Sequence, residues 1–314
     1  MDRVVTAGET MALLRAETLG RIEHLDHLRL GIGGAESNVA VGVVRLGGSA
    51  RWIGRVGADG LGRRVVRELR AEGVEVCARV DADAPTGLMI KTTPTGGSTR
   101  VEYHRAGSAG SRLHPDDLRD DVLADAGVLH VTGITPALSA TAAQTVRELV
   151  GRARADGVPI SFDVNHRSAL WSASAAAPVY RELLSQADVA FAGEDEAALI
   201  VGAAPALELA RRLRELGPAE VVVKRGAAGA VAVTPEGAWE MPAVPVTVVD
   251  TVGAGDAFVA GYLFEMLRGG DIVQRLHTAV ACGASACGGP GDWESLPTYA
   301  ELGALGGGGD PVTR

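Results

Sequence analysis

The sequence predicts an α/β protein with a mainly parallel sheet, and the alternation of two kinds of segment is what predicts it. Short β-branched runs are followed by longer Ala/Leu/Arg stretches with apolar residues three and four apart, the pattern of βαβ units. The candidate strands are RVVTAG, ARWIGRVG, GVLHVTG, VPISFDV, ADVAFAG, AEVVVKRG and GAVAVT. The candidate helices ESNVAVGVVRLG, GLGRRVVRELRAEG, LSATAAQTVRELVGRARADG and ALELARRLRELG each finish at a glycine, the residue that terminates helices most readily. Two stretches, 11–30 and 87–107, break the rhythm. Neither contains a crossover helix, and the second reads as two strands joined by the turn PTGG. They predict one small antiparallel sheet standing off the main layer as a lid.

Composition narrows the function. The chain has 314 residues, 46% hydrophobic and 22% charged, enough for a substantial core. A net charge of -9 and the absence of a basic stripe argue against a nucleic-acid partner. Cys77, Cys282 and Cys287 are odd in number and lack metal-ligand spacing, which predicts free thiols in a reducing compartment. The start MDRVVTAGET has no apolar signal region, and the longest apolar stretch, near 242–264, is interrupted by Asp250 and Asp256. These features predict a cytoplasmic protein with no membrane partner. The tail GALGGGGDPVTR reads as flexible, and the segment 301–314 is assigned to it.

The densest chemistry lies in DTVGAGDAF, Asp250 to Phe258, between the apolar run VPVTVV and the helical AGYLFEML. Gly253 and Gly255 remove side chains where a ligand would approach the backbone. The helix that follows turns its free N–H groups and the positive end of its dipole towards the loop, which suits an anion. Asp256, in the first helical turn, reads more readily as a cap when taken alone. The loop is not a P-loop, since no Lys-Ser or Lys-Thr follows, and it lies far from the first strand, unlike a dinucleotide fingerprint. What is left is an anion hole beside a carboxylate, fitted to draw a proton from a hydroxyl while amides stabilise a transferring phosphoryl group.

A second glycine signal, GIGGAESNVAVGVVRLG, places Gly33 and Gly34 before a helix and Asn38 in its first turns. An asparagine there can donate to and accept from sugar hydroxyls, although alone the pattern is more often a plain helix start. Taken together, GGAESNVA, ARWIGRVGADGLG and DTVGAGDAF closely resemble the signatures of the ribokinase-like (pfkB-type) carbohydrate kinases, over roughly residues 1 to 300. The resemblance implies a three-layer α/β/α domain with a small β-sheet lid, and ATP-dependent phosphorylation of a sugar hydroxyl. It makes Asp256 the general base and the amides of Gly253, Ala254 and Gly255 the anion hole, with Gly33, Gly34 and Asn38 at the sugar. Lys224, Gly226 and Gly229 of KRGAAGAV would lie beside ATP, although a hairpin turn uses such glycines too. The late stretch HTAVACGASACGGPG would cover the adenine.

Three segments look like those of the 2-keto-3-deoxygluconate kinases within that family: GETMALL, EYHRAGSAGSRL and SFDVNHRSALW. A sugar acid carries a carboxylate, and an arginine fork binds carboxylates through charge-assisted hydrogen bonds. The resemblance makes Arg105 and Arg167 the clamps and Tyr103 a hydroxyl donor, with Asp163 and Asn165 contacting ATP or orienting Arg167. There are departures. Met89 and His104 stand where tyrosines are usual in the subgroup, and Gly193 replaces the asparagine of an Asn-x-x-Glu motif linked to magnesium, leaving Glu196. ATP and Mg2+ are therefore expected, a monovalent cation near the anion hole is left open, and lid pairing in relatives implies a homodimer or a multiple of one. Met89 keeps kinases for fructose, ribose or 5-keto-2-deoxygluconate as alternatives. A catalytically silent sugar-binding regulator is the alternative of a different class.

Overall fold

The computed structural model describes residues 2–95 and 98–305. The chain opens with β1 (Arg3–Ala7), β2 (Met11–Arg15) and β3 (Arg29–Gly33), then α1 (Ala35–Arg45), β4 (Ala50–Gly57), α2 (Gly60–Ala71) and β5 (Glu75–Asp81). Next come β6 (Leu88–Thr95), β7 (Ser98–His104), β8 (Ala126–Thr132), α3 (Thr135–Leu138), α4 (Ala140–Asp156), β9 (Ile160–Asp163), α5 (Ala173–Leu184) and β10 (Val189–Gly193). The remainder is α6 (Glu194–Val201), α7 (Ala206–Arg214), β11 (Glu220–Lys224), β12 (Ala230–Thr234), β13 (Gly237–Met241), α8 (Ala254–Leu267), α9 (Ile272–Cys287) and α10 (Tyr299–Leu305).

The central sheet runs β13-β12-β11-β10-β9-β8-β1-β4-β5. From β11 to β5 every neighbouring pair is parallel, while β12 and β13 turn back antiparallel at one edge. Strands β8 to β11 are buried on both faces, which is why they read in the sequence as nearly continuous apolar runs. One face packs against α1, α2, α8 and α9 through Val39, Leu69, Tyr262 and Leu276; the other packs against α4 to α7 through Leu149, Tyr180, Ile200 and Leu213. This is the three-layer α/β/α fold that was expected. Helix ends follow local chemistry: Ser139 caps α4 by accepting from Ala142 N, and Gly157 ends it in the left-handed conformation at φ 69°. Among the described residues no helix is long and apolar enough to cross a membrane.

Strand β1 lies between β4 and β8, so the chain leaves it first to one side and then to the other. At such a reversal the connections diverge and leave a crevice at the carboxyl edge of the sheet. The lid covers that edge. It is a second sheet of order β3-β2-β6-β7, drawn from the two stretches that broke the sequence rhythm. It is not wholly antiparallel as expected, because β2 and β6 pair parallel. The reason is directional: β2 follows β1 and β6 follows β5, and both leave the same edge of a parallel sheet heading outward. Each then returns as a hairpin, β2/β3 and β6/β7. In the predicted turn PTGG, Gly96 and Gly97 lie outside the described residues. The helix α10 extends into the segment assigned to the tail, whose residues after Leu305 lie outside the described ones.

Candidate active site

A cleft of roughly 430 Å³ opens between the lid and the carboxyl edge of the main sheet. The lid contributes Met89, Lys91, Val101 and Tyr103; the loop after β9 contributes Asn165 and Arg167; the start of α6 contributes Gly193 and Glu196. Lys224 ends β11, residues 251–253 form the approach to α8 and 255–256 its first turn, and Asp292 comes from the connection between α9 and α10.

Asp256 sits at the centre. It is buried in the first turn of α8, where its Oδ2 accepts from Asn38 Nδ2 (2.8 Å) and its Oδ1 from Asn165 Nδ2 (3.3 Å). Asn38 is presented by α1, and among the described residues its buried Oδ1 has no hydrogen-bond partner. Asn165 has φ 38°, left-handed backbone that asparagine tolerates better than most residues. Burial raises the Asp256 carboxyl from 3.8 to about 7, against the opposing hydrogen bond from Asn38. A carboxyl poised near neutrality and facing a cleft is suited to accept a proton at ordinary pH.

The turn into α8 depends on its glycine. Gly253 precedes α8 at φ 80°, and a β-carbon on it would strike the Asp292 carbonyl, so glycine is required twice over. The segment before it, 242–249, is irregular rather than a strand, and Val248 and Val249 are exposed. Of the predicted amide donors, that of Ala254 is drawn into a 3.3 Å bond with the Thr251 carbonyl. The Lys224 ammonium lies 3.6 Å from where a β-carbon of Gly255 would stand, so a fixed cation faces the loop. Burial opposes that charge, but Asp163 and Glu196 hold the lysine's pKa above its ordinary value.

The sequence model of the pfkB family carbohydrate kinases matches residues 1–299. The chain belongs to that family. The kinase is 40% identical to the 2-dehydro-3-deoxygalactonokinase of Haloferax volcanii over 288 residues, 90% of this chain and 88% of the relative. It is 37% identical to the 2-dehydro-3-deoxygluconokinase of Thermoproteus tenax over 307 residues, 96% of this chain and 93% of the relative. Among solved structures, an E. coli protein described as a ribokinase II, in complex with ATP and Mg2+, superposes with a TM-score of 0.90 at 26% identity, covering 97% of the kinase and 99% of that chain.

Not every predicted site residue reaches the cleft of the kinase. Arg105, expected as a clamp, is buried with its fork on Glu9: Nε is 2.7 Å and Nη2 2.6 Å from Oε2. Ser108 donates to the other oxygen of Glu9. The Gly-Glu opening and the Arg105…Ser108 segment thus meet in one buried ion pair at the base of the lid. Arg167 behaves differently. It is exposed at the cleft, its only hydrogen bond among the described residues is a 3.3 Å contact to its neighbour's carbonyl, and no carboxylate among them pairs with it. Asp163 does not orient Arg167, since both its oxygens are taken by Lys224 Nζ (2.9 and 2.7 Å). Tyr103 faces the cleft and is partly exposed.

The glycine assignments divide in the same way. Gly226 and Gly229 shape the turn between β11 and β12 outside the cleft lining; a β-carbon on Gly229 would strike the Met241 carbonyl, which is a packing requirement. Gly33 and Gly34 are also packed tightly, Gly33 against Met89 and Asp292 and Gly34 against the Glu9 backbone. Glu196 accepts from Gly193 N (2.7 Å) and His166 N (2.9 Å), and among the described residues no group of three or more His, Cys, Asp or Glu could hold a metal alone. Sequence reasoning singled out the Gly-Glu opening without assigning Glu9 a partner and passed over Lys91 and Asp292; the readable signal for Lys91 was its parity with Met89 along a lid strand.

Proposed function

We propose that this kinase transfers the γ-phosphoryl group of ATP to the terminal hydroxyl of 2-keto-3-deoxygluconate, giving the 6-phosphate. The observation that carries the reading is Asp256, buried between two asparagines at the start of α8 and facing the same cleft as the uncommitted Arg167. Arg167 receives the sugar carboxylate, and Tyr103 on the lid lies over the sugar. Asn38 accepts a hydroxyl hydrogen at its vacant Oδ1 while its amide holds Asp256. Asp256 takes the proton of the attacking hydroxyl as its oxygen bonds to the γ-phosphorus and the bond to the leaving ADP oxygen breaks. The amides of the loop and Lys224 stabilise the charge on the transferring group. Magnesium would neutralise phosphate charge, and Glu196, one of the carboxylates lining the cleft, would hold it.

A coupled phosphorylation assay tests the substrate. The panel comprises 2-keto-3-deoxygluconate, its galactonate-derived epimer, 5-keto-2-deoxygluconate, fructose and ribose. The expected result is a kcat/KM for the sugar acid at least about 100-fold above the neutral sugars, since an unpaired arginine in the site penalises substrates lacking the carboxylate. Preference for a neutral sugar overturns the reading, and no turnover on any sugar supports a silent regulator. The epimer is the second reading, favoured by the 40% identity to a relative named for it.

A further inference from the structure

One cation in the cleft is left unused by the transfer chemistry proposed above. Lys91 stands on β6 of the lid, its side chain buried, with Nζ 2.5 Å from Asp250 Oδ2 and 3.2 Å from Asp292 Oδ1. The three side chains are only 4%, 9% and 6% exposed, for Lys91, Asp250 and Asp292 in turn. The two carboxylates belong to different segments of the main domain, and both bear on the anion loop. Asp250 accepts from Val252 N (3.1 Å) and so fixes the turn into α8. Asp292 presents its carbonyl to Gly253, closing the space a β-carbon would need. Two buried carboxylates converging on one point repel each other unless a cation lies between them. Here the cation comes from the lid.

We propose that Lys91 is a positioning residue for the phosphate loop: a tethered monovalent cation that neutralises Asp250 and Asp292 and locks the turn 250–253, so that the kinase needs no dissolved monovalent cation at this place. Because the lysine arrives on β6, the loop reaches its working shape only with the lid seated. The inference rests on the family assignment and not on which sugar is phosphorylated.

The experiment compares wild type and Lys91→Met in sodium, potassium, ammonium and tetramethylammonium chloride at equal ionic strength. Wild-type rates are expected to agree within about twofold across the salts, since only general screening differs little between them. Lys91→Met keeps the stem and removes the charge; its kcat should fall about 10- to 100-fold, the cost of a loop displaced by about an ångström. Potassium or ammonium should restore several-fold of that loss, and tetramethylammonium, too large to enter, should not. Thermal unfolding without substrates should follow the same salt order in the variant, a readout that fails or succeeds independently of the proposed sugar. Where Lys91→Met does not fold, the double variant Lys91→Met/Asp292→Asn removes one carboxylate with the lysine and should fold with a weaker salt response. Lys91→Arg keeps the charge and should stay indifferent to the cation. A wild type that requires potassium overturns the proposal, as does a folded Lys91→Met equally active, or equally impaired, in every salt.

Discussion

As the proposed base, Asp256 would trade stability for chemistry. Its burial lifts the carboxyl to about 7, so the acid limb of kcat/KM against pH should rise with unit slope through an apparent pKa near 7. The Asn38 hydrogen bond works against that rise, so Asn38→Ala should move the limb to higher pH; an unmoved limb would separate Asn38 from the base. Asp256→Asn should cost at least about 10²- to 10⁴-fold in turnover, the usual worth of a general base. It should also stabilise the fold. The folded pKa of Asp256 is raised from 3.8, so the contribution that favours folding is complete below 3.8 and is lost as pH rises through about 7. At pH 8 the wild type therefore carries a buried charge that the amide does not, a difference on the order of a few kcal/mol. Melting curves of the two proteins at pH 8 and pH 4 check this: the variant should melt higher at pH 8 and the gap should close at pH 4.

At the scale of elements, the two arginines assigned alike in the sequence separate in the structure. Arg105 and Glu9 form a buried pair, so Arg105→Ala should lower the melting temperature by breaking it, at about 3–5 kcal/mol, and should weaken acidic and neutral sugars alike. Arg167→Ala should leave the melting temperature unchanged and raise KM for the sugar acid far more than for a neutral sugar. The sequence carried the contrast only as two matching contexts, because an arginine's partner lies elsewhere in the chain: Glu9 is far from Arg105, and Asp292 far from Lys91. The glycine turn into α8 was legible because Gly253 takes up left-handed backbone there, whereas Asn165, read as contacting ATP or orienting Arg167, bonds Asp256. Strands β8 to β11 were legible because burial on both faces writes a continuous apolar run. The edge strands β5 and β13 escaped notice because they are largely exposed and their residues are mixed. The parallel pairing of β2 with β6 could not be read at all, since alternation reports which face a residue takes and not the direction of the neighbouring strand.

For the whole molecule, the lid is the part that bears on assembly. Alternation sends Met89 and Lys91 to the cleft, and so sends Ile90 to the other side. There Leu30, Leu14 and Ile90 stand opposite one another across three strands, each only partly buried. Helix α2 approaches this side, where Arg64 Nη2 donates to the Leu30 carbonyl (2.9 Å), but the row stays incompletely covered. A single-layer sheet with an apolar outer row is stable when a second layer meets it, and a two-fold copy of the same row is self-complementary. If the homodimer implied by the family resemblance forms, this row predicts that the two lids pack against each other. Analytical ultracentrifugation at micromolar concentration should give a dimer for the wild type. Ile90→Glu, which puts a charge in the middle of the row, should give a monomer. Because the lid carries Tyr103 and Lys91, losing the dimer should also raise KM for the sugar while the main-domain fold persists by circular dichroism. A wild-type monomer with full activity would show that the outer row needs no partner.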